Sequence, residues 1–394
     1  MRIAVIGAGI IGLATAAELD RRGHDVIVFD PEPANGASRA AAGMLAAAAE
    51  AAWGQGGLLP LARTSAALYP AFVAVLEAAV GRELGYGTTG TLTVGVDAAD
   101  RAALFELGEM QAAHAVPVQR LTGTAARELE PALGPAVTSA VLAGDDHSID
   151  PRRVTDALRE VLGDRVREEQ VVGILRREGR VTGIRLASGE DLRADVVVAA
   201  AGLGAAGIDG LPGLPLRPVW GDILRLRVPA ALRPLLTRTV RALARGRAVY
   251  VVPRDDGTVV LGASVREGGV AGVQAGSVLA LLRDAETVLP GISECEIVEM
   301  LARPRPGTPD ALPLLGRPEP GLVISTGYDR HGVLLTPLAA TLGADLAEGL
   351  PLDPATAAAV DPLRFAADAR TRSSSADLTP PAVAALAGAG QKGR

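Results

Sequence analysis

Three glycines in the hexapeptide GAGIIG, Gly7, Gly9 and Gly12, stand directly after the apolar run RIAVI at residues 2 to 6. That run reads as a buried parallel strand. The residues after the glycine turn read as a helix over roughly 10 to 22, and HDVIVFD as a second strand at 25 to 30 that ends on Asp30. Each glycine has a steric task in such a βαβ unit: Gly7 permits the tight turn, Gly9 lets backbone approach a pyrophosphate, and Gly12 allows helix and strand to pack closely. The helix start offers N–H groups and a positive dipole end to phosphates, and Asp30, 18 residues past Gly12, can accept hydrogen bonds from ribose hydroxyls. An acid at that place disfavours a 2′-phosphate, and so NADP. NAD and FAD present the same adenosine diphosphate, and the fingerprint alone does not choose between them.

The N-terminal segment superficially mimics a signal peptide, but regularly spaced glycines interrupt it and a second strand follows, so export is not expected. One cysteine, Cys295, excludes an intrachain disulfide and a cysteine metal cluster and favours a reducing, cytoplasmic setting; it reads as a small buried hydrophobe. Four histidines, His24, His114, His147 and His331, show no ligand spacing, and no metal site is expected. A formal charge of −6 provides no basic field for nucleic acid or anionic lipid, which leaves a small molecule as the expected partner. No stretch approaches the ~20 uninterrupted apolar residues of a membrane span.

At 394 residues, 48% of them apolar, the chain has material for two cores. SRAAAGMLAAAAEAAW is helix-prone by alanine content, and TSAALYPAFVAVLEAAVG has helical spacing of its apolar residues. Alternation at TGTLTVGVD (89 to 97) marks a half-exposed sheet. Asp150 followed by Pro151 reads as a helix start, and Val196 to Ala201 as a strand covered on both faces. Two strands joined at Asp256 and Gly257 read as a hairpin, and GLVISTG (321 to 327) as a strand feeding a helix near Gly332.

Parallel segments at the start, middle and end thus alternate with antiparallel ones. The expectation is an α/β plus α+β fold: a discontinuous Rossmann-like nucleotide domain (1–85, 141–212 and 299–365) with an inserted antiparallel-sheet substrate domain (86–140 and 213–298). Residues 366–394 read as a disordered tail.

Two features move the nucleotide towards FAD: small residues and backbone donors in SRAAAGM (38 to 44), placed to line an extended cofactor, and a C-terminal strand, glycine and helix that return to the same domain. With these, the series VIGAGIIG, SRAAAGML, DPRRVTDALRE, VVAAAG, RPGTPDALPLLGR and GYDRHGVLLTP resembles the glycine and D-amino-acid oxidase family of flavoproteins, most closely the bacterial glycine oxidases of thiamine biosynthesis. The resemblance runs from Met1 to about Phe365. It implies FAD, contacted by Ile10, Ile11, Asp30, Ala37, Ser38, Ala42, Gly43, Met44, Val172 and the run Tyr328, Asp329, Arg330, His331, Gly332, Val333 and Leu334. A helix starting near Gly332 would direct N–H groups at the negative charge of reduced flavin.

Arg305 and Arg330 each stand beside glycine or proline at the edge of an apolar element, a costly place for a guanidinium unless an anion meets it. A carboxylate fits the arginine fork with two parallel hydrogen bonds. The resemblance implies that Arg305 holds an amino-acid carboxylate, Arg330 sits beside it at the flavin, Tyr250 donates from the inserted sheet, and Met44 with Ala46 and Ala49 borders a short pocket. The competing arrangement pairs the arginines with Asp310 and Asp329 or leaves them in solvent. Arg303 is expected to face away from the site, and His331 reads as a packing residue rather than a base.

By resemblance the reaction is oxidation of glycine to its imine by hydride transfer, with dioxygen giving hydrogen peroxide and the imine feeding thiazole synthesis or hydrolysing to glyoxylate. Sarcosine or D-amino-acid oxidation, a dehydrogenase with another acceptor, and a non-catalytic dinucleotide-binding protein are the alternatives. Relatives often form tetramers, which implies a homo-oligomer. Asp329 and His331 stand where relatives usually carry an aromatic residue and an asparagine, and Trp220 where they more often carry a polar or basic one, which bears on substrate preference.

Overall fold

Apolar side chains at every position of Ile3–Ile6 and Val196–Ala199 demand cover on both faces, and the computed structural model, which describes residues 1–50, 57–268 and 270–366, provides it. Among those residues six strands form a sheet in the order Leu314–Glu319, Leu322–Thr326, Val196–Ala199, Arg2–Ile6, Asp25–Phe29 and Val166–Arg167. All neighbours run parallel except the first pair. Ile3 and Val5 point to one side, where helices Ile10–Arg21, Leu58–Val80, Pro151–Leu162 and Thr336–Glu348 cover them; Ala4 and Ile6 point to the other, into a core shared with the three-stranded sheet of Val171–Arg177, Arg180–Leu186 and Asp191–Arg193.

Nine further strands form a second, largely antiparallel sheet, drawn from residues 91–143 and 217–307. The expected discontinuous α/β plus α+β arrangement is therefore what the chain adopts. Strict alternation divides the second sheet into two faces. Leu92 and Val94, Leu224 and Leu226, Val240 and Ala242, and Val249 and Val251 enter a core closed by helix Ala275–Val288. On the opposite face Thr93, Ile223, Arg241 and Tyr250 border a cavity instead.

Local signals read from sequence recur here. Asp150 accepts from Arg152 N (2.9 Å) at the start of helix Pro151–Leu162, and Asp256 accepts from Thr258 N (2.9 Å) in the hairpin turn where Gly257 has φ +78°. The alanine-rich stretch departs from expectation: among its described residues only Ala37–Ala40 is helical, Met44–Leu45 instead forms a two-residue strand against His147–Ser148, and the end of the stretch, 51–53, lies outside the described residues. Gly43 explains the break. Its φ is +77°, and a Cβ there would lie 1.9 Å from the Ile149 carbonyl oxygen, so tertiary packing overrides alanine propensity.

Helix Leu58–Val80 is long and apolar enough to cross a membrane by length and composition. Here its inward face, Leu58, Leu61, Ala62, Ser65, Tyr69, Val73 and Leu76, packs into the main core. The tail expected from 366 onward lies, beyond Ala366, outside the described residues.

Candidate active site

A cavity of about 520 Å³ runs from the first glycine turn to the exposed face of the second sheet. At its first end, Gly7 (φ +104°) lies against Ala200, and a Cβ on Gly12 would sit 1.9 Å from the Gly7 carbonyl oxygen. Asp30 accepts from Ala8 N (2.7 Å) and Glu32 N (2.8 Å), bracing the turn while bordering the cavity. Ser38 Oγ accepts from Ile10 N (3.0 Å) and so takes one of the helix-start donors that sequence reasoning assigned to phosphate. Gly12 backs the turn rather than lining the space, in keeping with a packing role.

The next wall is residues 36–44. Arg254, almost wholly buried, donates through its guanidinium to the Ala42 carbonyl and ties this segment to the second sheet. Burial pulls the Arg254 pKa down to about 10, with Asp150 opposing the shift. Beyond Met44 the turn through Glu50 is held by buried Asp146, which accepts from Ala48 N (2.9 Å) and Ala49 N (3.0 Å). Desolvation raises the Asp146 carboxyl to about 6. Neither anchor was singled out from sequence, because each acts across more than ninety residues of chain.

Two glycines shape the sheet face. Gly221 stands diagonal to Arg305 across the paired strands Arg217–Arg227 and Glu296–Gly307, and a Cβ on it would lie 2.4 Å from Arg305 Nη2. Gly262 stands opposite Tyr250, and a Cβ there would collide with the phenol. Both long side chains therefore lie flat across a glycine and border the cavity. Burial raises the Tyr250 pKa and keeps the phenol a neutral O–H. Met44 and Tyr250 both pack against the small apolar cluster that contains Ala40, Ala42 and Ile223, and Ala49 borders the same space, whereas Ala46 is buried behind it.

Among the described residues Arg305 makes no hydrogen bond or ion pair, and Asp310, its alternative partner, is taken by Arg364 at 2.8 Å. Arg303 also lines the cavity, contrary to expectation. Residues two apart on a strand share a face, and its guanidinium donates to the Asn35 carbonyl (2.9 Å) and to Asn35 Oδ1 (3.1 Å). Gly221→Ala should leave the fold intact, since the obstructed atoms end a flexible side chain, but swing Arg305 aside. Steady-state kinetics should show KM raised by roughly ten- to hundredfold with kcat changed much less.

The third wall is the C-terminal turn. Residues Asp329–His331 form a short 3₁₀ turn, and the regular helix starts at Thr336, four residues later than expected. Gly332 is nonetheless helical in φ and ψ (−55°, −40°), and the chain winds through 332–335 without an α-helical ladder. Helix Leu58–Val80 fixes this turn from below: Ser65 Oγ donates to the Leu334 carbonyl (2.7 Å) and Tyr69 O–H to that of Val333. Tyr328, Asp329, Arg330, Gly332 and Val333 border the cavity; His331 and Leu334 lie behind it. Val172 is not on the cavity wall, and its carbonyl accepts from Asp209 N (2.8 Å). Of the remaining expected residues, Ile10, Ile11, Ala37 and Ala42 all line it.

On the cavity wall, Glu50 pairs with Arg241 (2.6 Å), a residue not singled out from sequence, and sits 3.5 Å from Nδ1 of His331 behind it. Burial alone would raise the Glu50 pKa. Arg241, then His331 and Arg330, outweigh it and hold the carboxyl below its ordinary value. No group of acids, histidines or cysteines able to hold a metal occurs among the described residues.

The arrangement combines a glycine turn suited to phosphates, a long space beyond it, and a guanidinium with a phenol at the far end. A family model described as FAD dependent oxidoreductase (DAO) matches residues 2–346. The chain is 34% identical over 358 residues to glycine oxidase of Geobacillus kaustophilus, covering 88% of this chain and 92% of that one. Against the bifunctional protein ThiO/ThiG of Nostoc sp. it is 33% identical over 356 residues, covering 87% of this chain but spanning about half the length of that relative (52%). The crystal structure of the Geobacillus kaustophilus glycine oxidase superposes with a TM-score of 0.81 at 32% identity, covering 89% and 96% of the two chains.

Proposed function

Because the chain belongs to the DAO family of FAD dependent oxidoreductases, we propose that it oxidises glycine to the imine. Its cofactor is FAD. The residues present fit that group: backbone approaches the cavity at Gly7 and Gly9, a Cβ at Gly36 would meet nothing within 4 Å, and Asp30 keeps acceptor capacity for a ribose. Ile10, Ile11, Ala37, Ala42, Gly43 and the turn from Tyr328 to Val333 would hold the remainder. When bound, FAD would supply the two-electron acceptor for oxidation at the substrate α-carbon, with dioxygen as the final oxidant and hydrogen peroxide as its product.

The observation that carries the reading is Arg305, aimed into the cavity over Gly221 and without a protein partner among the described residues. A guanidinium so placed takes a carboxylate through two parallel hydrogen bonds, Tyr250 O–H donates to the same group, and Arg330 adds positive potential from the opposite turn. Met44 and Ala49 close the space around the α-carbon, which favours a substrate with no side chain. The amine enters neutral, so no side chain need take its proton, and the protein's work is orientation and exclusion of water. Within this reading the imine supplies thiazole synthesis.

Anaerobic mixing of the yellow protein with glycine, sarcosine and D-alanine tests it. Glycine should bleach the flavin absorbance fastest, and admitted oxygen should then yield peroxide. Bleaching by D-alanine but not by glycine would reassign the substrate, and bleaching without oxygen uptake would make the enzyme a dehydrogenase.

A further inference from the structure

One histidine in this site has its two ring nitrogens facing opposite charges. His331 is 2% exposed. Its Nε2 accepts from Arg330 Nε at 3.1 Å, while Nδ1 lies 3.5 Å from Glu50 Oε2, an electrostatic contact not aligned as a hydrogen bond. An arginine can only donate, so Nε2 must carry a lone pair. The proton of the neutral ring then belongs on Nδ1, facing the carboxylate. Glu50 is itself fixed from the second sheet by Arg241. A chain of contacts thus joins Arg241, Glu50, His331 and Arg330, passing behind the cavity that Glu50, Arg241 and Arg330 border.

We propose that Glu50 and His331 are a buried positioning pair for Arg330: the carboxylate selects the Nδ1–H tautomer, and the Nε2 lone pair this leaves orients the guanidinium at the cavity wall. The charged groups around the ring agree with a neutral imidazole. Burial depresses the His331 pKa; Glu50 and Asp329 oppose that, and Arg330 and Arg241 reinforce it. A cationic ring would lose its acceptor and repel the group it orients. The functional consequence rests on the reading that Arg330 faces the substrate carboxylate, whereas the tautomer does not.

The test uses the full-length, FAD-loaded protein. With only four histidines in the chain, ¹⁵N-histidine labelling resolves each ring, and His331→Gln assigns the signal by its loss. At neutral pH the His331 signal should carry the Nδ1–H pattern; an Nε2–H pattern overturns the proposal. Acetate, a carboxylate without an amine, is then titrated against the flavin spectrum. Gln keeps an acceptor near the Nε2 position, so His331→Gln should bind acetate within about threefold of wild type, while His331→Leu, which has none, should bind it roughly tenfold more weakly. Equal weakening in the two variants, at equal thermal stability, also overturns it. If acetate fails to perturb the wild-type flavin, the carboxylate reading of the site fails, and the tautomer alone decides the pairing.

Discussion

Exchange of Arg305 for methionine is expected to lower kcat/KM for glycine by roughly 100-fold, or about 3 kcal/mol of transition-state binding. The figure follows from two charge-assisted hydrogen bonds lost at once in a space that excludes water. Methionine preserves the stem that lies over Gly221, so packing should change little. Arg305→Lys should recover only part of the loss, because a point charge replaces a planar fork. Flavin content and thermal midpoint, measured alongside, should match the wild type in both variants. Unaltered kinetics in Arg305→Met would remove this residue from the site and with it the main support for an amino-acid substrate.

Gly12→Ala should have the largest effect on the molecule as a whole. The added methyl would lie 1.9 Å from the Gly7 carbonyl oxygen and 3.0 Å from its carbon, both backbone atoms that cannot rotate away. Helix Ile10–Arg21 would have to lift off the central strand, at a cost of order 3 kcal/mol or more against a total stability of about 5–15 kcal/mol. Purified protein should be colourless or largely aggregated. Gly9→Ala provides the contrast. There a Cβ meets only Ser38 Oγ at an ordinary 3.4 Å and the backbone is extended, so the protein should fold with a near-normal midpoint yet retain flavin poorly. Absorbance at the flavin band and a melting curve distinguish the two outcomes.

How far these residues could be read from sequence depended on the range over which their interactions act. The βαβ unit, the Asp150 cap and the Asp256 hairpin are encoded within a few neighbours, and they stand where the pattern places them. The alanine-rich segment after Asp30 misled because helix propensity is weak beside the Gly43 contact with Ile149. Arg303 was assigned to the wrong face although its spacing from Arg305 already fixed a shared one. Ser65 and Tyr69 act on carbonyls more than 260 residues away, and Arg241 reaches Glu50 across 191. No local pattern marks such pairs; only the arrangement of the strands brings them together.

The parallel sheet takes its strands from residues 2–29, 166–199 and 314–326, and its two central strands are neighbours in space but about 190 residues apart in the chain. During synthesis the first βαβ unit therefore leaves the ribosome long before Val196–Ala199 can cover its open edge, and longer still before Leu322–Thr326 completes the wall that carries Arg330. Cofactor capture has to wait for nearly the whole polypeptide, and until then an apolar strand edge stays open to mispairing.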